Sequence, residues 1–284
     1  MPEYAIRPVA PYDLAASARG LGDGTRRFRD GALALALREG TVLVRQRGDG
    51  TLLVTAPDDE AFERARWVLG ADVDHRPFLA IAERDPLLRD VIGRRRGVRV
   101  LRTATVAHAL LKAMCGQLIQ ASAAIQIERD VLRHLFGREV RPPDRDELAG
   151  LSTPRVASLG LAPRRADALV RIARTLDLER LHAHPTDAVV RRLCREPQLG
   201  PWSAGVVSLY GLGRPEAGLV GDLGLVRLAG VLWGRRVEGH ETAALLEPYG
   251  VWAGLASAHL LAISGRTSAV RRPAAARAGS RAAG

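Results

Sequence analysis

The sequence predicts an α+β protein that is mostly α-helical, with a small N-terminal antiparallel sheet domain followed by an all-helical core. Alternating apolar segments surround two Asp-Gly pairs near the N-terminus, and helical periodicity dominates from about residue 76 onwards. The chain has 284 residues, of which 47% are hydrophobic. That apolar content can build a folded core, which argues against a disordered chain.

Residues 1–75 have the pattern of a sheet domain. The segments RRFRDGALALALREG and TVLVRQRGDGTLLVTAP each alternate around an Asp-Gly pair, at residues 30–31 and 49–50. Such a pair between alternating segments is the strongest short-range signal of a β-hairpin. The segment PDDEAFERARWVLG then predicts a helix across the sheet, with Asp58 or Asp59 near its N-cap and Gly70 after its end.

Residues 76–264 have the pattern of a helical domain. Prolines in first-turn positions and glycines after helix ends set the predicted boundaries. The predicted helices span residues 77–83, 86–92, 105–120, 122–136, 144–150, 153–159, 163–176, 186–195, 201–211, 222–233, 240–246 and 251–263. Residues 265–284 contain five arginines and no acid, and we expect them to form a disordered basic tail.

The charge balance favours a polyanionic partner. The net charge is +11 and the pI is about 11.0, which indicates nucleic acid first. A bias toward arginine codons is the alternative, because Lys112 is the only lysine. That bias explains arginine over lysine but not the excess of bases over acids. Since neither a membrane-length apolar segment nor a secretory signal is evident, we expect a cytoplasmic protein without membrane contact.

The two cysteines, Cys115 and Cys194, lie in apolar segments outside any CxxC pattern. We expect both to be buried free thiols. Two cysteines are too few for a four-cysteine zinc or iron–sulfur site. We therefore expect neither kind of site, and we also expect no other metal and no cofactor in the chemistry.

The most informative segment is 186–233, which predicts a helix, a tight turn, a second helix, a loop, an acid and a third helix. The turn spans residues 197–201. We expect Gly200 to take a backbone conformation that other residues resist, and Pro201 to begin the next helix. The free N–H groups of that helix would bind an anion such as phosphate. An ordinary helical hairpin in a bundle is the alternative interpretation.

Asp222 follows the hairpin and begins an apolar helix. An aspartate at this position is most often an N-cap. The same position suits a catalyst, because backbone N–H groups and the helix dipole keep the carboxylate ionised. An ionised carboxylate stabilises an oxocarbenium-like sugar cation. The capping and catalytic roles are compatible.

The order LGPWSA and then VGDLGL resembles the helix–hairpin–helix DNA glycosylase superfamily. Within it, the segment is most similar to the DNA-3-methyladenine glycosylase II family. The segments PYDLAAS, HALLKAMCGQLIQASAAIQIERDVLRHLFG, LGLAPRRADALVRIARTL and PYGVWAGLASAHLL also resemble that family and occur in its order. The resemblance spans roughly residues 4–263.

The resemblance implies a monomeric, monofunctional base-excision-repair glycosylase without a lyase step. Its substrate would be alkylated purines of the 3-methyladenine type in double-stranded DNA. It also allows a monovalent cation at the hairpin. The residues that match the family's site are the catalytic Asp222, the base-pocket residues Trp202 and Gln117, and the DNA-backbone residues Leu199, Gly200 and Pro201. Core packing is the alternative role for Trp202.

Several positions depart from the family pattern. Gln198 replaces the first hairpin glycine, Leu118 replaces a glutamine, and Val206 replaces an aromatic residue. The last helix has Ala258 or His259 where an aromatic residue is expected. We therefore expect a less aromatic pocket and a different preferred lesion. Base excision also requires a side chain that fills the gap left by the flipped nucleotide, and the sequence identifies none.

Three alternatives remain at this point. A bifunctional glycosylase/lyase needs an amine nucleophile, but the family's lysine position is Trp202 here. Lys112 is interpreted as a surface or phosphate-contacting residue, and Pro2 would be the other amine. A non-catalytic helix–hairpin–helix DNA-binding protein would not need Asp222 or a base pocket. A glycosylase for another lesion is the third. A cavity with Asp222 at its wall would discriminate against the binding protein.

Overall fold

The computed structural model describes residues 1–19 and 23–270, with side chains as far as residue 264. An antiparallel sheet and two helices form its N-terminal part. Helix α1 (Leu14–Ala18) lies between the first two strands, and α2 (Asp59–Leu69) follows the last. The strands are β1 (Glu3–Ile6), β2 (Arg26–Arg29), β3 (Ala32–Ala36), β4 (Thr41–Gln46) and β5 (Leu52–Thr55), in the spatial order β1-β5-β4-β3-β2. The fold class predicted from the sequence is confirmed.

Both predicted hairpins are present. Asp30 and Gly31 have φ values of 51° and 74°, so the turn between β2 and β3 uses two left-handed residues, as a tight hairpin requires. In the hairpin of β4 and β5, the N–H of Arg47 donates to the carbonyl of Thr51 at 2.9 Å, and Gly50 has φ 88°. Strand β1 and helix α1 were not predicted, because four or five residues are too few to show a periodicity.

One face of the sheet is packed against α2. Alternate residues of β3, β4 and β5 are buried, which follows from the two-residue period of a strand. Helix α2 begins at Asp58, whose side chain accepts a hydrogen bond from the N–H of Ala61 at 2.8 Å. It ends at Gly70 in a left-handed conformation with φ 56°. The predicted caps of this helix are confirmed.

The remainder of the described chain is helical. The helices are α3 (Arg76–Ala82), α4 (Arg89–Arg95), α5 (Val106–Gly116), α6 (Ala121–Phe136), α7 (Arg145–Ala149), α8 (Thr153–Ser158), α9 (Pro163–Thr175), α10 (Thr186–Cys194), α11 (Pro201–Val206), α12 (Leu223–Trp233), α13 (Thr242–Leu246) and α14 (Ala253–Val270). Short 3₁₀ turns at Glu179–Ala183, Gly239–Glu241 and Glu247–Trp252 connect some of them.

Two helices differ from their predicted extents for identifiable reasons. Helix α4 begins later than residue 86, because the side chain of Asp85 accepts hydrogen bonds from the N–H groups of Leu87 and Leu88 and holds them in a turn. The predicted helix 201–211 is α11 followed by a π-helical turn, Val207–Gly211. Such a turn adds one residue to the helical repeat, which a pattern of apolar residues does not reveal.

Helix α5 forms the centre of the helical part, since its residues from Val106 to Met114 are buried except Lys112. The apolar side chains around it form one core, and the sheet and α2 form another. Leu101 and Ala104 belong to the core of the sheet, although they lie after residue 75. The division of the chain into domains at that residue stays a prediction.

Arg26 joins the sheet to the segment that leads into α5. Its Nη1 donates to the carbonyl oxygens of Leu101 and Arg102, both at 3.1 Å, and its Nε donates to Oδ2 of Asp23 at 2.8 Å. Both charged side chains are buried. Burial alone would raise the pKa of Asp23, but the Arg26 guanidinium, with Lys112 and His108 nearby, holds it well below its usual range.

One of the two cysteines and the C-terminal segment differ from what the sequence predicted. Cys115 is buried, whereas Cys194 is exposed, because the C-terminal turn of α10 lies at the surface. Helix α14 continues past residue 264 into the predicted tail, since nothing breaks the helix before Val270. Residues 271–284 of that tail lie outside the described residues. Within the described part, no helix is long and apolar enough to span a membrane.

Removing the charge of Arg26 should destabilise the protein strongly. In Arg26→Met the buried carboxylate of Asp23 loses its partner, and we expect the free energy of unfolding to fall by about 3–5 kcal/mol. The matched control is Arg29→Met on the same strand, because that side chain is 80% exposed. Denaturation with urea measures both variants. A loss below about 1 kcal/mol in Arg26→Met would show that Arg26 does not hold the two cores together.

Candidate active site

A cavity of about 620 Å³ lies between two groups of helices. Residues of α5 and α6 form one wall, and residues of α11, its π-helical turn and the start of α12 form the other. Four of the six predicted site residues line it: Asp222, Trp202, Gln117 and Gly200. The sequence therefore identified side chains that tertiary packing brings to one place from three separate segments.

The hairpin between α10 and α11 is tight, but for a different reason than the sequence indicated. The left-handed residue is Gln198, with φ 72°, whereas Gly200 has an ordinary extended backbone with φ −107° and ψ −176°. A non-glycine residue in this conformation costs about 1 kcal/mol. The expectation that Gly200 supplies an unusual backbone shape is wrong. A side chain at Gly200 would meet nothing within 4 Å, so its α-carbon faces open space.

The other two hairpin residues are placed differently from the expectation. Leu199 is buried in the helical core, and its N–H donates to the carbonyl of Glu196 at 3.0 Å. Pro201 is exposed and has no N–H. Neither can donate a hydrogen bond to an anion, whereas the N–H of Gly200 has no acceptor in the described part of the chain. Among the three, only Gly200 is therefore available as a backbone donor.

Gln117 connects the turn after α5 to the hairpin. Its Nε2 donates to the carbonyl oxygen of Gln198 at 2.7 Å and to Oγ of Ser203 at 2.9 Å. Its own carbonyl accepts a hydrogen bond from Arg165 at 2.8 Å. The amide of Gln117 thus stabilises the strained Gln198 and also lies at the cavity wall. The side chain of Gln117 therefore contacts the hairpin and also lines the predicted pocket.

Asp222 caps α12 and faces the cavity at the same time. Its Oδ1 accepts a hydrogen bond from the N–H of Gly224 at 2.7 Å, as an N-cap does. Its Oδ2 accepts a hydrogen bond from Nε1 of Trp202 at 2.9 Å. Each carboxylate oxygen thus accepts one hydrogen bond, Oδ1 from the backbone and Oδ2 from a side chain. The carboxylate is held in one orientation, partly buried, at the wall of the cavity.

Trp202 packs against a helix end that has no side chain. A Cβ atom at Gly116 would lie 2.7 Å from Cη2 of the indole, so only glycine leaves room for the ring. The indole is partly exposed and lines the cavity while its N–H binds Asp222. It is therefore more than a core residue.

Comparisons with known proteins agree with this architecture. No protein-family model matches the chain. The probable bifunctional transcriptional activator/DNA repair enzyme AlkA of Mycobacterium tuberculosis is 28% identical over 255 residues, which cover 84% of this chain and 51% of that protein. The chain thus spans about half the length of this curated relative.

Solved structures cover almost the whole chain. A 3-methyladenine DNA-glycosylase from Archaeoglobus fulgidus superposes with a TM-score of 0.78 at 18% identity, covering 93% of this chain and 99% of that one. An 8-oxoguanine glycosylase/lyase of Clostridium acetobutylicum, in complex with double-stranded DNA, superposes with a TM-score of 0.77 at 16% identity, covering 94% and 99%. The chain has the helix–hairpin–helix DNA glycosylase fold.

The fold shows where the positions lie at which the family pattern has an aromatic residue. Val206 lines the cavity one turn after Trp202, and Tyr210 lines it one turn further on. His259 does not line it: the ring is buried, lies 5.4 Å from that of Phe78, and has its pKa lowered to about 3 by burial and by Arg95. The last helix contributes Leu261 instead. The sequence did not single out Tyr210.

Leu118 lies at the rim of the cavity in the turn between α5 and α6. Its side chain is 80% exposed, and its φ of 57° is unusual for a residue with a branched side chain. Exposed apolar side chains in strained turns are frequent at functional sites. In the sequence, Leu118 is notable only as a departure from a glutamine. A large apolar residue in a short turn between two helices was the signal that could have identified it.

Lys112 is partly buried, whereas the sequence indicated a surface or phosphate-contacting residue. It lines the cavity, and its Nζ lies 3.5 Å from Oε2 of Glu128. Glu128 is 2% exposed, and its Oε1 lies 2.8 Å from Nε2 of His108. The sequence placed Lys112 on this helix. It did not show that α6 and the hairpin pack against α5 and enclose a cavity beside Lys112.

Asp23, His108 and Glu128 place one ligand atom each within 4.8 Å of one another. The guanidinium of Arg26 already binds Asp23, and the ammonium of Lys112 faces Glu128. These two cations balance the two carboxylates, so the group does not fit a divalent metal ion. At the hairpin, the carbonyl of Gln198 is already bound by Gln117. The absence of a catalytic metal and the monovalent cation at the hairpin both stay predictions.

Proposed function

We propose that the chain is a base-excision-repair DNA glycosylase. It hydrolyses the N-glycosidic bond of alkylated purines of the 3-methyladenine type in double-stranded DNA, without a lyase step. The observation that carries the proposal is the carboxylate of Asp222, oriented by two hydrogen bonds at the wall of a cavity of about 620 Å³ beside the hairpin. A monomeric state and a cytoplasmic location remain predictions from the sequence.

The reaction requires the damaged nucleotide to leave the base stack, and the cavity supplies the space for the flipped base. As the bond between the base and C1′ breaks, its electrons leave with the base, and the sugar becomes an oxocarbenium-like cation. The carboxylate of Asp222 stabilises this cation. Water then adds to C1′ and releases a proton. An alkylated purine already carries positive charge, so it departs as a neutral base without an additional acid.

Trp202 has two proposed roles in this step. Its indole face lines the cavity, where a flipped base can stack on it, and stacking of this kind contributes about 1–3 kcal/mol per base. Its N–H holds Oδ2 of Asp222 at 2.9 Å and keeps the carboxylate directed at the sugar. We therefore assign Trp202 to base binding and to orientation of the catalytic group.

The hairpin is the proposed contact with the DNA backbone. The α-carbon of Gly200 faces open space and its N–H has no acceptor in the described part of the chain, so a phosphate oxygen can approach closely. The first turn of α11 directs further N–H groups to the same side. Leu199 and Pro201 shape the turn rather than donate to phosphate. The net charge of +11 supports attraction of DNA as a whole.

Leu118 is the proposed residue that fills the gap in the duplex. It is apolar, exposed, and located at the cavity rim between α5 and α6. An apolar side chain inserted into the stack replaces the contacts that the flipped base loses. The turn that carries it is held by Gln117, whose amide binds the hairpin. The same hydrogen bond therefore couples the gap-filling residue to the phosphate contact.

A non-catalytic DNA-binding protein would not need a carboxylate at the wall of a cavity. The glycosylase/lyase alternative has one specific observation in its favour, which is the position of Lys112 in the cavity. Its ammonium lies 3.5 Å from the buried carboxylate of Glu128, and attack on C1′ would require Lys112 to leave this carboxylate without its cationic partner. We therefore retain the monofunctional mechanism and test it directly.

Asp222→Asn should abolish catalysis while DNA binding is retained. Asparagine caps helices as well as aspartate does, but it lacks the negative charge that stabilises the sugar cation. We expect release of methylated bases to fall by at least about 100-fold, measured by chromatography. Asp187→Asn is the matched control, because that carboxylate is exposed at the start of α10. Base release at the wild-type rate in Asp222→Asn would contradict the catalytic assignment.

Leu118→Ala and Gly200→Val should separate gap filling from phosphate contact. We expect Leu118→Ala to lower base release about tenfold while its affinity for undamaged duplex stays unchanged. Gly200→Val should weaken binding to damaged and undamaged duplex alike, since phosphate contacts carry no sequence information. Fluorescence anisotropy at two salt concentrations measures both affinities. If the two variants show the same profile, the division of roles between turn and hairpin is wrong.

The reaction product should be an intact strand with an abasic site. We expect no covalent adduct when the protein is incubated with a lesion-bearing duplex and sodium borohydride, because Trp202 occupies the family's lysine position and Lys112 is paired with Glu128. Strand breakage should appear only after hot alkali, on a denaturing gel. An adduct that disappears in Lys112→Met would assign a lyase step to Lys112. An adduct that persists in that variant would assign it to the N-terminal amine.

A further inference from the structure

The end of the cavity remote from the hairpin is polar. Trp202, Val206 and Tyr210 follow one another along α11 and its π-helical turn and all line the cavity, and Trp202 is the one bonded to Asp222. On the opposite wall, Lys112 precedes Gly116 by four residues, or about 6 Å along α5. Gly116 contacts Trp202, so Lys112 is one turn deeper in the cavity than the indole. A base stacked on Trp202 would direct its far edge at Lys112 and Tyr210.

Glu128 holds Lys112 in place. Its carboxylate is 2% exposed, with Oε1 bound to His108 at 2.8 Å and Oε2 facing Nζ of Lys112 at 3.5 Å. The side chain of Lys112 is 24% exposed. Apart from Glu128, its ammonium has no hydrogen-bond partner among the described residues, so at least one of its three N–H groups is free for a ligand. The carboxylate balances the charge without using all the donors.

We propose that Lys112 donates a hydrogen bond to a carbonyl oxygen of the flipped base, so that the cavity prefers keto bases over amino bases. This inference rests on the proposed glycosylase function. Among the alkylated purines of the proposed function, it assigns guanine-type lesions as preferred over adenine-type lesions, and it extends this preference to hypoxanthine. Lys112 is the residue that contacts the base, and Glu128 is the residue that positions the ammonium of Lys112.

The chemistry of an ammonium group produces this preference. It has donors and no acceptor, so it pairs with the carbonyl at C6 of guanine or hypoxanthine and opposes the amino group at C6 of adenine. When the glycosidic bond of a neutral keto base breaks, the bond electrons leave with the base and charge develops on that oxygen. The ammonium stabilises this charge in the transition state. Alkylated guanines still enter, because Glu128 offsets the positive charge of Lys112.

The test compares two bases methylated at the same atom. Methylated duplex DNA contains 3-methylguanine, with a carbonyl at C6, and 3-methyladenine, with an amino group there. We expect the rate ratio of 3-methylguanine to 3-methyladenine release to fall roughly tenfold in Lys112→Met, as loss of a charged hydrogen bond predicts. The double variant Lys112→Met/Glu128→Gln leaves no unpaired buried carboxylate and should show the same fall, with circular dichroism confirming its fold.

Arg227→Met is the matched control. Arg227 lines the mouth of the cavity near Asp222 and is exposed, so its loss removes a positive charge without changing the deep end. General weakening of DNA binding should lower both rates together and leave their ratio unchanged. An unchanged ratio in Lys112→Met, including an equal loss of both activities, would overturn the inference. An equal loss is also what a nucleophilic or merely structural lysine would produce.

A binding measurement separates this inference from the glycosylase function. Free hypoxanthine has a carbonyl at C6 and a hydrogen on N1, whereas free adenine has an amino group at C6 and no hydrogen on N1, and we expect either to quench the fluorescence of Trp202 when it occupies the cavity. We expect hypoxanthine to bind the wild-type protein at least roughly tenfold more tightly, and the preference to disappear in Lys112→Met. The signal is assigned by its absence in Trp202→Phe. Equal affinities would overturn the inference even if base release is observed. Release of neither methylated base, with the binding preference intact, would contradict only the proposed reaction.

Discussion

The packing of Trp202 between Gly116 and Asp222 is the contact on which the rest of the site depends. The indole fits only because the end of α5 has no side chain there, and its N–H reaches the carboxylate across the cavity wall. One side chain thus connects the central helix, the hairpin helix and the catalytic candidate. A shift of any of these helices would change the distance between the carboxylate and the space for a flipped base.

Buried charges connect the sheet to the deep end of the cavity. Arg26 of β2 binds Asp23 and the segment before α5, and the carboxylates of Asp23 and Glu128 are close neighbours around His108. Isolated buried charges are costly, but each carboxylate here has a cationic partner. The N-terminal sheet therefore supports the position of Glu128, and through it the ammonium of Lys112. Its contribution extends beyond its own core.

In the hairpin, backbone strain lies at Gln198, whereas the open space for a ligand lies at Gly200. Gln198 adopts the left-handed backbone, and the side-chain amide of Gln117 donates a hydrogen bond to the carbonyl of Gln198. Gly200 has an ordinary extended backbone, and the space beside its α-carbon is open. Strain of about 1 kcal/mol is acceptable where the surrounding contacts compensate for it. The hydrogen bonds of Gln117 hold the turn beside the cavity, which suits the proposed contact with the DNA backbone.

Local features were predictable from the sequence, because they depend on neighbours in the chain. The two Asp-Gly hairpins, the caps of α2, the hairpin before α11 and the capping position of Asp222 all follow from backbone preferences within a few residues. Trp202 and Gln117 were placed at the cavity by resemblance. The helical pattern also located most helices to within a few residues.

Tertiary structure alone decided which side chains reach the cavity. Lys112, Leu118 and Tyr210 occupy ordinary helix or turn positions, and their direction depends on how α5, α6 and the hairpin pack against each other. For the same reason His259 is turned into the core and Leu261 takes its place. A periodic pattern identifies the buried face of a helix, but it does not distinguish a core from a cavity, since both are enclosed by neighbouring helices.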